Sequence, residues 1–204
     1  MALSAPAPRK DLHRRSIVCQ GFARDDGLWD IEGRLRDEKT YDFENHWRGR
    51  VDAGMPVHEM LVRLTLDDKF VIHGIEVAME AAPFAGCNSI EGDFSALVGH
   101  KLGRGWNRLI RDLVGGIKGC THVTEVLGRM AMTAYQTIPI EQLRRAKKAA
   151  RTDPAIAEKL RKGPERKPFF IGGCHTWRID GKVVHDLFPA FYRAPDSAPP
   201  EDDQ

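Results

Sequence analysis

The chain has 204 residues, 42% hydrophobic and 29% charged, with a formal net charge of +2. That length buries one sizeable core but is short for two large domains, and the mixture is that of an ordinary globular protein. The near-neutral balance argues against nucleic acid as a partner, and no apolar run approaches a membrane span.

Residues 1–14 are rich in proline and charge and are expected to be a flexible tail; residues 194–204, which are acidic, are expected to be another. The N-terminus has no apolar stretch like that of a secretory signal, so a cytoplasmic location is expected. Between the tails, SIVCQGFARDDGLWDIEGRLRD reads as two strands joined at Asp26-Gly27, a strong turn signal. Residues 38–56 contain Gly49, Gly54 and Pro56 and read as a connecting loop. HEMLVRLTLDDKFVIHGIEVAME follows as a second hairpin. Met60, Val62, Leu64 and Leu66 alternate along its first strand, Phe70, Ile72, Ile75, Val77 and Met79 line its second, and Gly74 suggests a bulge.

From Pro83 the pattern changes to helices. DFSALVG is a short one closed by Gly99, and RGWNRLIRDLVGG another closed by Gly115 and Gly116. Thr121 can cap the next helix, along which Val123, Val126, Leu127, Met130, Ala131 and Ala134 recur at helical spacing. Pro139 ends that helix or opens the following one. The basic run from Ile140 to Lys167 reads as helix in two pieces, with Asp153-Pro154 starting the second. No aromatic residue interleaves its charges, and Asp153, Glu158 and Glu165 interrupt them, so it reads as a solvated face. PFFIGGCHTWRIDGKVVHDLF reads as a small hairpin turning at Asp180-Gly181. The expectation is a single α+β domain over residues 15–193. It has an antiparallel sheet of about four strands in two hairpins, packed by helices of the C-terminal half, plus a small C-terminal hairpin.

Four thiol or imidazole groups fall at element boundaries rather than within apolar faces. His58 begins the third strand, Cys87 follows the fourth, and Cys120 and His122 open the long helix. A helix N-terminus offers partial positive charge and unpaired N–H groups, which stabilise a thiolate. Thiolate and imidazole are also preferred ligands of zinc and hold iron–sulfur clusters. Cys19 lies among Ile17, Val18 and Phe22 and reads as core, whereas Cys174 either packs inward or approaches the same site.

The stretch from His58 to Tyr135 resembles the iron–sulfur cluster assembly scaffold family. The resemblance is carried by HEMLVRLTLDDKFVIHGIEVAMEAAPFAGC, SALVGHKL and GGIKGCTHVTEVLGRMAMTAY. It implies a scaffold-like core with metal ligands at His58, Cys87, Cys120 and His122. Here the first ligand is histidine where that family has cysteine, and the last pair reads Cys-Thr-His instead of adjacent His-Cys. The acidic residue after the first scaffold ligand is echoed by Glu59, displaced by one position. The whole chain also resembles a bacterial family of unknown function, through FARDDGLWDIEGRLRDEKTY, GGIKGCTHVTEVL and GGCHTWRIDGKVV.

Three functions are compatible with these residues. The first is a metal-binding protein holding zinc or an iron–sulfur cluster through His58, Cys87, Cys120 and His122. The second is a thiol enzyme with Cys120 as catalytic nucleophile and His122 or His58 as base. The third is a binding module whose cysteines are structural. The partner, protein or small molecule, is not specified by the sequence.

Overall fold

Trp29, Ile31, Gly33, Leu35 and Asp37 are all buried while the residues between them are more exposed, the two-residue period of a strand with one face on a core. The computed structural model describes residues 3–195, so the expected acidic tail lies outside the described residues from 196 onward. The chain divides into two compact units, Met1–Gln142 and Leu143–Gln204.

The first unit is built on an antiparallel sheet of strands β1 (His13–Ala23), β2 (Trp29–Lys39), β5 (Pro56–Leu66) and β6 (Ile72–Ala81), in that spatial order. These are the two expected hairpins, side by side. Residues 38–56 are not all loop: β3 (Phe43–Asn45) and β4 (Gly49–Val51) form a small ribbon of their own between β2 and β5. Where Thr65 pairs with Gly74 and Leu66 with Ile72, the register slips by a residue, the bulge that Gly74 suggested.

One face of the sheet carries the core. Trp29, Ile31, Leu35, Met60, Leu64 and Leu66 meet Phe94 and Leu97 of a 3₁₀ helix (Cys87–Leu97), helix α1 (Trp106–Val114) and helix α2 (Thr121–Ala149). Val123, Val126, Leu127, Met130 and Ala134, the periodic residues of α2, are fully buried in it. The helix lies close on the sheet because Gly33 has no side chain: a Cβ there would fall 2.4 Å from Val126 Cγ1. Trp106 Nε1 donates to the carbonyl of Leu127 at 3.0 Å and ties α1 to α2. Pro139 sits inside α2 rather than at its end. A proline there costs one i→i−4 hydrogen bond, and the burial of Ala134 and Ile138 just before it keeps the helix in place. The opposite face of the sheet is polar. There Arg63 bonds Glu32 at 2.8 Å and Glu76 at 3.2 Å across three strands.

In the second unit, α3 (Pro154–Lys162) starts as expected, with the Asp153 carboxylate accepting from the N–H groups of Ala155 at 2.9 Å and Ile156 at 3.4 Å. The expected C-terminal hairpin does not form. Residues before Asp180 make turns, and those after Gly181 make helix α4 (Lys182–Leu187) and a 3₁₀ turn (Pro189–Phe191). Phe170, Trp177 and Phe188 cluster with ring centroids 4.7–5.9 Å apart. Aromatic packing of that kind stabilises a short irregular segment without a strand ladder. Among the described residues no helix is long and apolar enough to cross a membrane.

Candidate functional site

Three neighbouring strands place Arg15, Asp37 and His58 in one row, because Arg15 pairs with Asp37 and Asp37 with His58 in the sheet register. The row continues the core face. Asp37 is two residues beyond Leu35 and His58 two before Met60, so both project toward the helices. Just beyond them the register shifts between Asp37 and Glu38, a bulge of the kind that re-aims side chains beside functional sites. The first turn of α2 then sets His122 over the row.

Asp37 is the centre of the arrangement and is 1% exposed. Arg15 grips it with two hydrogen bonds, Nε to Oδ1 and Nη2 to Oδ2, both 2.7 Å. A further Arg15 nitrogen reaches Glu125 on α2 at 2.9 Å, and His13 Nε2 lies 3.3 Å from Asp37 Oδ1. Burial works to raise the Asp37 carboxyl. The bonds and charge of Arg15, helped by His58 and His13, outweigh it and hold the group below the usual carboxylate range.

Two imidazoles converge on the same oxygen. His58 Nδ1 is 3.2 Å and His122 Nε2 3.6 Å from Asp37 Oδ2. The rings lie against each other with centroids 3.8 Å apart and planes tilted by 30°. Burial, together with the neighbouring His122, pushes His58 down to about 4 despite the attraction of Asp37, so its imidazole is neutral at physiological pH. Although His58 Nδ1 is near Asp37 it is out of line for a hydrogen bond and has no hydrogen-bond partner among the described residues. Such a buried polar atom calls for an explanation. Asp37, His58 and His122 form a possible metal site: one donor atom from each lies within 4.8 Å of the others.

Cys120 adjoins this group through His122, its sulfur 3.7 Å from His122 Nδ1. Burial would raise the thiol, but the contact with His122 and the N–H groups of Val123 and His122 bring it below its ordinary value. The N–H of Thr124 donates to the Cys120 carbonyl at 3.0 Å, so Cys120, and not Thr121, is the residue that caps α2.

Of the residues singled out from sequence, the structure thus brings together His58, His122 and Cys120. Cys87 opens the 3₁₀ helix after β6, half-buried against the core, and is not one of the three converging donors. Cys174 is exposed in the second unit, and Cys19 packs partly against the core. Glu59, the expected acidic echo, points to the opposite face from His58 and pairs with Arg34 and Arg36. The carboxylate at the site comes from Asp37 instead. Its signal was present in the sequence: an acidic residue occupies an inward position of the alternation Trp29, Ile31, Gly33, Leu35.

The chain has no significant match among curated proteins or solved structures. Its likeness to the cluster scaffold therefore rests on motif spacing alone. A family match does cover residues 13–136, from the start of β1 to within α2, and so contains every residue of the site. With well over half its length matched, the chain belongs to the family described as protein of unknown function (DUF2889).

Proposed function

We propose that this protein binds one divalent transition metal, zinc foremost, through Asp37 Oδ2, His58 Nδ1 and His122 Nε2. The observation that carries the proposal is the spacing of the two imidazole nitrogens from Asp37 Oδ2, 3.2 and 3.6 Å. Metal–ligand bonds of about 2.0–2.1 Å in a tetrahedron separate neighbouring ligands by roughly 3.3 Å. The chemistry of the donors agrees. Metal ligation needs neutral imidazole and ionised carboxylate, the states that His58 and Asp37 hold. Clusters of iron and sulfur are held chiefly by thiolates, so a set of two nitrogens and one oxygen suits zinc better. Three protein ligands leave a fourth tetrahedral position for water or substrate, the pattern of catalytic zinc.

Elemental analysis of anaerobically purified, zinc-supplemented protein tests this reading. About one zinc per chain is expected, with loss in folded His58→Ala and His122→Ala variants. Wild-type protein that takes up no metal would overturn it.

A second reading is favoured by the line Cys120 Sγ, His122 Nδ1, His122 Nε2, Asp37 Oδ2, with gaps of 3.7 and 3.6 Å. It is the order of a thiol nucleophile, its base and an orienting carboxylate. This reading requires one cysteine that alkylates much faster than the other three, and equal slow labelling would dismiss it.

A further inference from the structure

Cys120 occupies the position from which a capping side chain accepts hydrogen bonds from the second and third residues of a helix. The N–H groups of His122 and Val123, in that first turn, favour an electron-rich sulfur. Backbone N–H groups only donate, so they meet the sulfur as an acceptor. The third group at the sulfur, His122 Nδ1 at 3.7 Å, completes that pattern when it carries the ring hydrogen. A neutral imidazole has one such hydrogen. With it on Nδ1, Nε2 presents a bare lone pair, and that lone pair faces Asp37 Oδ2 at 3.6 Å. Two electron-rich atoms held face to face repel unless a cation lies between them. This is the tautomer that a metal at Asp37 and His58 requires.

We infer that Cys120 is a positioning residue for the metal centre: its sulfur, fixed in the first turn of α2, holds His122 as the Nδ1–H tautomer and so aims Nε2 at the ion. The inference rests on the metal reading of the preceding subsection and assigns Cys120 a place outside the ligand set. Histidine ligands characteristically donate their second N–H to an outer partner that fixes the ring. Carboxylates and carbonyls fill that role most often, and here a cap sulfur fills it, because the Cys-Thr-His spacing puts the cap and the ligand on the same turn.

The test uses the full-length chain, stripped of metal and titrated anaerobically with cobalt(II), alongside Cys120→Ala and Cys120→Ser. In the wild type the expected spectrum has visible bands of low-symmetry cobalt without strong sulfur-to-cobalt charge transfer in the near ultraviolet. Cys120→Ala is expected to bind cobalt about 10- to 100-fold more weakly, the usual cost of losing an outer partner. Cys120→Ser, whose hydroxyl can both cap the helix and accept from Nδ1, is expected to recover most of that loss. Strong charge transfer in the wild type, absent from both variants, would make the sulfur a ligand and overturn the inference. So would unchanged affinity in a folded Cys120→Ala protein. Wild-type protein that binds no cobalt would overturn the metal reading itself, and this inference with it.

Discussion

Asp37 shows how one buried charge can be kept at a sheet position meant for a hydrophobic side chain. Removing a carboxylate from water costs several kcal/mol unless it is paired and hydrogen-bonded. Arg15 supplies two bonds of 2.7 Å, and the remaining electron density of Oδ2 is what His58 and His122 approach. Asp37→Asn removes the charge that Arg15 grips with two bonds and leaves its guanidinium only Glu125 as a charged partner on α2. Because Arg15 is 39% exposed, the expected loss falls at or below the lower end for buried pairs, about 2–3 kcal/mol in urea unfolding. His58 gives a prediction in pH. Its folded value of about 4 lies below the ordinary 6.5, so between those two values the unfolded chain binds more protons than the folded one. This part of the stability is fully present above about pH 6.5 and is lost as the pH falls toward 4. Denaturation midpoints of metal-free protein should therefore decline across that window, and His58→Gln should flatten the decline. An unchanged slope in the variant would place the protonation elsewhere.

At the scale of elements, the site depends on how closely α2 lies on the sheet. His122 reaches Asp37 because the helix begins directly above the row Arg15–Asp37–His58 and is seated on Gly33 two turns further on. Gly33→Ala puts a methyl 2.4 Å from Val126 Cγ1 and 2.9 Å from Met130 Sδ. Methionine can yield, whereas branched Val126 is fixed by the helix. The expected cost is about 1–3 kcal/mol, as for other overpacked cores. If α2 lifts, metal affinity should fall with stability, although residue 33 is a ligand in no reading. Calorimetric titration with zinc, run beside thermal unfolding, checks both effects. The helix and strand periods of these elements were legible in the sequence: the second hairpin runs where alternation from Met60 onward placed it, except that Phe70, expected on its second strand, lies in the turn with φ +65° and β6 starts at Ile72, and the residues that spacing selected on α2 are all buried, with Ile138 one more. The β3–β4 ribbon was missed because three-residue strands are too short to show a period. The expected C-terminal hairpin was wrong because Asp180-Gly181 starts a helix as readily as it turns a strand pair, and the choice fell to aromatic packing around Trp177.

On the scale of the whole molecule, every proposed ligand, together with Arg15 and Cys120, falls in the unit Met1–Gln142 and within the span matched by the family. A protein ending after Gln142 is therefore expected to bind zinc with the stoichiometry of the full chain, as read by elemental analysis after gel filtration. A folded fragment that takes up no zinc would mean that residues beyond 142 complete the centre. Calorimetry of the full chain bears on the expected single domain over residues 15–193: one cooperative transition supports it, and two would divide the chain near the boundary between its units.

By itself the sequence determined the class of the fold, the pairing of neighbouring strands and the residues that open α2, since all of these follow from local periods, turns and caps. It also singled out His58, Cys120 and His122, whose chemistry is visible in their type and placement. What the tertiary structure alone decided is which groups meet. Asp37 and His58 are 21 positions apart and His122 lies 64 beyond His58, so their convergence depends on the register of β2 with β5 and on where α2 crosses the sheet. Neither is written in any local period. The same long-range geometry put Asp37, and not Cys87 or Glu59, beside the two imidazoles.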